Sequence, residues 1–209
     1  MTSDAAGERI NACLESLNLR PLDDEKAEKF SIYVSLILRW NERLNLTALR
    51  TEDCIISIHL AESIACATMV PQGINTLLEF GSGAGFPGLP IALCRPEIAV
   101  TLAESQGKKA AFLQEVIRTL SIPVTVHAGR AEDFRSKFDC VVLRAVDKMP
   151  RAVVAASKLV GRQGWLGLMT TLADVAELKL AAGSEYRWDS PAPLPGTERK
   201  IMTFGNKAP

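Results

Sequence analysis

The stretch LLEFGSGAGFPGLPIAL, residues 77–93, passes from an apolar run into a glycine-rich segment and then into a second apolar run. Gly81, Gly83, Gly85 and Gly88 fall within eight residues, between a predicted strand and a predicted helix. Glycine permits tight turns and lets a ligand approach the main chain closely. A single glycine would indicate only a turn with positive φ, but four of them after a first strand favour a loop that binds a nucleotide-like ligand.

Short apolar runs alternate with helical stretches downstream of this loop. The strands are predicted at NTLLEF, AVTLAES, VTVHAG, FDCVVLRAV and GWLGLMT, with helices at KKAAFLQEVIRTL and PRAVVAASKLV. This alternation predicts an α/β fold with a mainly parallel sheet covered on both faces. In such a sheet the ligand lies at the carboxyl ends of the strands, near the point where strand order reverses. The proline-rich tail ends in one more predicted strand, so we expect the last pair to be antiparallel.

The residues before the glycine loop predict helices. Apolar residues from Phe30 onward recur at helical spacing, and Thr51 is predicted to cap a helix that runs to about Met69. We therefore expect an N-terminal helical extension over residues 1–72 and one compact α/β unit over residues 73–209.

Composition narrows the class of protein. A chain of 209 residues that is 47% hydrophobic can bury one substantial core, and its net charge of zero argues against binding nucleic acid by bulk electrostatics. We expect a cytoplasmic protein with no membrane partner, because there is no apolar run of spanning length and no signal-like start. The five cysteines stand singly, without the spacing of metal ligands, so no metal site is predicted.

One segment departs from the even charge balance. Between Arg144 and Arg162 the only acidic residue is Asp147, and the basic residues are Arg144, Lys148, Arg151, Lys158 and Arg162. This pattern fits either a solvated helical face or an anion-binding surface.

The glycine loop can be aligned with two kinds of nucleotide site. As G-x-G-x-G from Gly81 it suits the adenosine and amino-acid parts of S-adenosylmethionine, and as G-x-G-x-x-G from Gly83 it resembles a dinucleotide fingerprint. The second frame is poorer because Pro87 has no N–H to offer a pyrophosphate. Glu104, at the end of the next strand, could accept hydrogen bonds from both ribose hydroxyls of either cofactor.

These segments together resemble one protein family. LLEFGSGAGFPGLPIAL, LAESQGKKAAFLQEV, GRAEDF and FDCVVLRAV, with WNERLNLTA and HLAES upstream, are similar to the bacterial small-subunit ribosomal RNA guanine-N7-methyltransferase family, also called glucose-inhibited division protein B. The resemblance implies a Rossmann-like class I methyltransferase sheet of seven strands, mostly parallel with the last antiparallel. It also implies S-adenosylmethionine as methyl donor and guanine-527 of 16S ribosomal RNA, free or in the small subunit, as acceptor.

The resemblance also assigns candidate residues. Arg144 is expected to position the reactants, and the residues expected to bind the cofactor are Glu79, Gly81, Gly83, Gly85, Phe86, Glu104, Ser105, Ala131, Glu132 and Arg144. The chain departs from the family pattern at two of its positions. Glu79 stands where Asp is typical, which still allows a carboxylate to reach the cofactor's ammonium, and Thr170 stands where relatives often have Lys.

The chemistry of ring nitrogen 7 is compatible with this set. That nitrogen carries a lone pair in the neutral base, so attack on a sulfonium methyl needs alignment and exclusion of water rather than a general base. LRAV follows the fourth strand, where methyltransferases acting on exocyclic amines have N-P-P-aromatic. Arg144 is expected to stack on a base or hold cofactor and guanine together, unless it pairs with Asp147 or Glu132.

Several other residues have two readings. Asn41 and Asn45 could present amides to RNA or could cap the long helix. His59 is expected to anchor the extension rather than titrate, and His127 and Cys140 are expected to be structural. The basic run, with Arg199 and Lys200, is the candidate phosphate-facing surface.

Two rival functions use the same fold. A nicotinamide-dependent oxidoreductase would need a proton-relay residue, and the two tyrosines, Tyr33 and Tyr186, lie outside the core of the predicted sheet. The second rival is a non-catalytic regulatory module that binds the cofactor, and the sequence does not exclude it. We expect a monomer, because a neutral domain of this size could act alone.

Overall fold

The computed structural model describes residues 3–196 and 199–209 and shows one mixed sheet with helices on both faces. Strand order is β3-β2-β1-β4-β5-β8-β6, with β7 beside β8. Strands β1 to β5 pair in parallel, and β8 runs antiparallel to β5, β6 and β7. The strands are β1 Thr76–Phe80, β2 Ala99–Ala103, β3 Thr125–His127, β4 Phe138–Arg144, β5 Val160–Thr171, β6 Tyr186–Trp188, β7 Ala192–Pro193 and β8 Lys200–Lys207.

The predicted fold class is confirmed, and the strand beyond the predicted seven is β7, which is two residues long. β1 lies between β2 and β4, so strand order reverses there. A cleft is expected at the carboxyl ends of β1 and β4 for this reason. The glycine loop leaves the sheet at this point.

Helices connect the parallel strands because their apolar residues recur at helical spacing. In α6 the buried residues Ala110, Phe112, Leu113, Val116 and Leu120 form one face toward the sheet. The connecting helices are α5 Gly88–Cys94, α6 Gly107–Leu120, α7 Met149–Ser157 and α8 Val175–Ala182.

The N-terminal segment is helical, as predicted. It consists of α1 Ser3–Ser16, α2 Asp24–Asn41, α3 Glu52–Cys54, a π-helical segment Ile55–Leu60 and α4 Ala61–Met69. Thr51 caps α3 by accepting a hydrogen bond from the Cys54 N–H, which confirms the predicted start of this helical stretch. Nothing in the sequence pattern indicated the π-helical segment within this stretch.

The extension and the sheet share one hydrophobic core. Phe30 and Ile37 of α2 belong to the same buried cluster as Leu77 of β1 and Leu102 of β2. The extension is therefore packed directly against the sheet. The division at residues 72 and 73 stays a prediction. Within the described ranges, the helices are too short or too polar to span a bilayer.

Candidate cofactor and substrate site

The glycine loop folds back over the end of β1. Gly83 has a φ of +56°, which glycine adopts without strain. At Gly88 the constraint is space, because a Cβ there would lie 2.6 Å from Oε2 of Glu79. The Gly88 N–H donates to Oε1 of Glu79 at 2.9 Å. The loop is thus fixed from beneath by a carboxylate at the end of β1.

Glu104 fixes the loop from the side of β2. Its Oε2 accepts from the Gly83 N–H at 2.8 Å, and its Oε1 accepts from the Gln106 N–H at 2.7 Å. The residue is only 5% exposed, yet it lines a cavity. Each carboxylate oxygen has a second lone pair, so Glu104 can still accept from a ligand's hydroxyl groups.

Two adjoining cavities lie at the carboxyl ends of the strands. One of about 420 Å³ lies between the glycine loop and the extension, and one of about 430 Å³ continues past β3 toward α7. They share Gly81, Ser105, Val146 and Asp147. The first is also lined by the predicted residues Gly83, Phe86, Glu104 and Arg144, and the second by Ala131 and Glu132.

Two predicted residues lie behind the loop instead of on the cavity walls. A Cβ on Gly85 would lie 2.5 Å from Cδ1 of Leu89, so this glycine faces the packed interior. Glu79 is 1% exposed, and its Oε2 has no hydrogen-bond partner among the described residues. Burial raises the pKa of Glu79 from 4.5 to about 7.

Arg144 projects from the end of β4 toward the extension. Its guanidinium donates to Glu62 at 2.6 Å and to Ser63 at 3.2 Å, and lies 2.8 Å from Nδ1 of His59. The expected alternatives, Asp147 and Glu132, are not its ion-pair partners among the described residues. The alternative reading, in which Arg144 pairs with Asp147 or Glu132, is therefore wrong, because its partner Glu62 comes from an element far away in sequence.

Glu62 was missed by sequence reasoning, although it lies within the quoted segment HLAES. It is 1% exposed, and its Oε1 accepts from Nζ of Lys200 at 2.8 Å. One signal could have found it: a lone carboxylate in the otherwise apolar helical stretch ISIHLAESIACATM. A buried carboxylate requires a cation as its partner, so a single acidic residue in an apolar helix indicates that a Lys or Arg from elsewhere packs against it.

His59 and Asn41 organise the extension. His59 packs at 5.2 Å from the Phe86 ring and bonds to Thr47 at 2.6 Å. Burial, with Arg144 nearby, lowers the pKa of His59 from 6.5 to about 3. Asn41 is bonded to the main chain of residues 46, 47 and 49, so it shapes the loop after α2 instead of facing a ligand. Asn45 accepts from Arg50 in the same loop.

The basic run does not form one surface. Arg144 is buried in an ion pair, and Lys148 and Arg151 line the second cavity. Lys158 and Arg162 lie near the start of β5, at the opposite edge of the sheet. The prediction of a single phosphate-facing surface is wrong because α7 carries the chain from one edge to the other.

The remaining basic and structural candidates also have defined positions. Lys200 lies at the start of β8 and pairs with Glu62, and Arg199 precedes it. Thr170 lies in β5 opposite Ile201. Cys140 is buried in β4, and His127 packs against Phe134, as expected for structural residues.

Comparison with known proteins places this site in a family. The family described as GidB, rRNA small subunit methyltransferase G, matches residues 26–185, more than half of the chain. A protein named ribosomal RNA small subunit methyltransferase G from Roseiflexus sp. (strain RS-1) is 42% identical over 61% of this chain. That match spans 58% of the relative, less than two thirds of its length. A protein of the same name from Xanthomonas euvesicatoria pv. vesicatoria is 34% identical over 95% of both chains.

Solved structures match the fold. The structure of M. jannaschii TYW2 in complex with AdoMet has a TM-score of 0.56 and 15% identity, over 72% of this chain and 76% of the other. At this identity the likeness establishes a shared α/β fold.

Proposed function

We propose, since this chain belongs to the rRNA small subunit methyltransferase G family, that it transfers a methyl group from S-adenosylmethionine to ring nitrogen 7 of one guanine in 16S ribosomal RNA. The family name supports the methyl transfer and the small-subunit RNA. The position, guanine-527, is what the sequence resemblance implies. Both full-length similarity to the Xanthomonas protein and the site geometry support assigning this activity to the chain.

The residues of the two cavities suit a nucleoside. Glu104 would accept from the ribose hydroxyls with its free lone pairs, while the loop at Gly81 and Gly83 leaves the main chain open to close approach. Ala131 and Glu132 would lie against the adenine in the second cavity. When bound, the cofactor supplies a methyl group on a positively charged sulfur.

One observation carries the reaction class: neither Arg144 nor His59, which both line the first cavity, is available as a strong base. Arg144 is held by Glu62, and the lowered pKa of His59, about 3, makes it a weak base. Arg144 and His59 are therefore unsuited to a reaction in which a strong base must remove a proton. Ring nitrogen 7 of guanine attacks through its own lone pair, so the chain has to align the guanine in the cavity that Phe86 and His59 line.

The proposal is tested with small ribosomal subunits from cells that lack this gene. Purified protein and S-adenosylmethionine labelled on the methyl group are incubated with intact subunits and, separately, with naked 16S RNA. Borohydride reduction and aniline cleavage then locate any 7-methylguanine. We expect one site, at guanine-527. Methylation at an exocyclic amine, or cofactor binding with no methyl transfer to either substrate, would overturn the proposal.

We further propose that one chain without a metal suffices in the cytoplasm. A chain of 209 residues with zero net charge could act alone, and the described residues offer no group of three His, Cys, Asp or Glu side chains that could hold a metal ion. Light scattering during turnover and addition of EDTA test this directly. We expect a monomer whose rate does not change with the chelator.

A further inference from the structure

A buried carboxylate joins two cations at the edge of the candidate site. Glu62 accepts from Arg144 through Oε2 at 2.6 Å and from Lys200 through Oε1 at 2.8 Å. The side chain of Glu62 is 2% exposed, that of Arg144 is 9% exposed, and that of Lys200 is 37% exposed. We call these three residues the Glu62 cluster. It runs from the interior to the surface, with Lys200 outermost.

The Glu62 cluster carries an excess of positive charge. One carboxylate balances one cation, and His59 beside it is uncharged at neutral pH because its pKa lies near 3. Arg144, at 2.6 Å and largely buried, already neutralises Glu62. Lys200 is therefore not needed to compensate the buried carboxylate. Its ammonium has three donors, and Glu62 accepts one of them.

The sheet register places this excess charge beside the proposed RNA site. β8 is antiparallel to β5, and Lys200 lies opposite Thr171, at the carboxyl end of β5. Arg144 lies opposite Met169 at the same edge. Lys200 is also close enough to His59, which lines the first cavity, to lower its pKa together with Arg144.

We propose that Lys200 is a substrate-binding residue that contacts a phosphate of the RNA beside the target guanine, and that Glu62 positions both Lys200 and Arg144. This inference rests on the proposed function. The Lys200 ammonium is held by one carboxylate oxygen, and its side chain is 37% exposed. It can therefore donate its other hydrogens to an anion with little further loss of side-chain entropy. RNA brings a phosphate with every nucleotide, and Lys binds phosphate as a point charge.

The test of Lys200 compares Lys200→Gln with Lys158→Gln, an exposed lysine at the opposite edge of the sheet. Equilibrium binding to small subunits is measured with S-adenosylhomocysteine present, at several salt concentrations. For Lys200→Gln we expect the Kd for subunits to rise roughly threefold to tenfold and the slope of log Kd against log salt to fall by about 0.7. The control should match wild type, and the Kd for S-adenosylmethionine should not change in either variant.

The test of Glu62 compares Glu62→Gln with Glu62→Asp. Loss of the charge leaves two cations without their carboxylate, so we expect weaker subunit binding and a slower single-turnover rate in Glu62→Gln. Glu62→Asp keeps the charge and should restore both. Rates and binding are normalised to the folded fraction from circular dichroism, which separates positioning from loss of structure.

The outcomes separate two failures. If wild-type protein leaves the subunits unmethylated, the proposed function fails and this inference fails with it. If wild-type protein is active and Lys200→Gln binds subunits with the Kd and salt slope of the control, only this inference is overturned. Equal binding by the folded fractions of Glu62→Gln and Glu62→Asp would overturn the positioning role.

Discussion

Replacing Glu79 by Gln should remove a defined part of the pH dependence of stability. Glu79 is fully buried at the end of β1, and burial raises its pKa from 4.5 to about 7. The folded protein therefore binds a proton that the unfolded chain has released over this interval. Stability from this group is complete below pH 4.5 and is lost as the pH rises through 7.

The magnitude follows from the two pKa values. A pKa raised from 4.5 to about 7 corresponds to about 3 kcal/mol in full. Between pH 5 and pH 8 roughly 2–3 kcal/mol of this is lost, since part of the change precedes pH 5. Gln keeps an oxygen for the Gly88 N–H and has no charge to desolvate. Its NH₂ lacks a partner where Oε2 now lies unpaired, which adds a cost that does not vary with pH.

Urea unfolding of wild type and Glu79→Gln at pH 5, 6, 7 and 8 measures this effect. The free energy of unfolding of the variant, relative to wild type, should increase by roughly 2–3 kcal/mol from pH 5 to pH 8. Glu28→Gln, on the exposed surface of α2, reports what the loss of one negative charge does at each pH. A difference that stays constant within about 0.5 kcal/mol would refute the reasoning that burial dominates at Glu79.

Four further substitutions test the construction of the loop. Glu104→Gln can no longer accept charge-assisted bonds from both backbone N–H groups, at 2.8 and 2.7 Å, so calorimetry should show a Kd for S-adenosylmethionine about tenfold higher or more. Gly88→Ala places a Cβ 2.6 Å from the Glu79 carboxylate and should lower the free energy of unfolding in urea by about 1–3 kcal/mol. Gly83→Ala has open space around its Cβ but a φ of +56°, so backbone strain should lower that free energy by about 1–2 kcal/mol. Tyr33→Phe leaves a buried loop carbonyl, now 2.6 Å from the hydroxyl, without its donor and should cost about 1–3 kcal/mol; an unchanged urea midpoint would contradict that bond.

The sequence predicted the parts of the site that depend on neighbours along the chain. Glu104 follows β2 directly, and Gly81 and Gly83 follow β1, so strand order alone brings them to one edge. Local patterning was sufficient here because parallel strands align their carboxyl ends. The same reasoning identified the Thr51 cap, where the bond spans three residues.

The sequence did not predict contacts made through packing. The partner of Arg144 is Glu62, 82 residues away, and no periodicity encodes that distance. Glu79 was expected to reach the cofactor because of its position after β1. The tight approach of Gly88 places its carboxylate beneath the loop, and its contact with the cofactor stays a prediction. The directions of the Arg144 and Glu79 side chains both depend on tertiary packing.

The helical extension supplies side chains that hold the glycine loop, Phe86 and Arg144 in place. Tyr33 of α2 bonds to the main chain of the glycine loop, His59 packs on Phe86, and Glu62 holds Arg144. Without the extension, the Arg144 guanidinium would lose its carboxylate, and the first cavity would lose its wall opposite Glu104. Under the proposed function, the sheet would supply the nucleoside site and the extension would shape the acceptor side. Selectivity for one guanine is accordingly expected to depend on residues 30–62 at least as strongly as on the sheet.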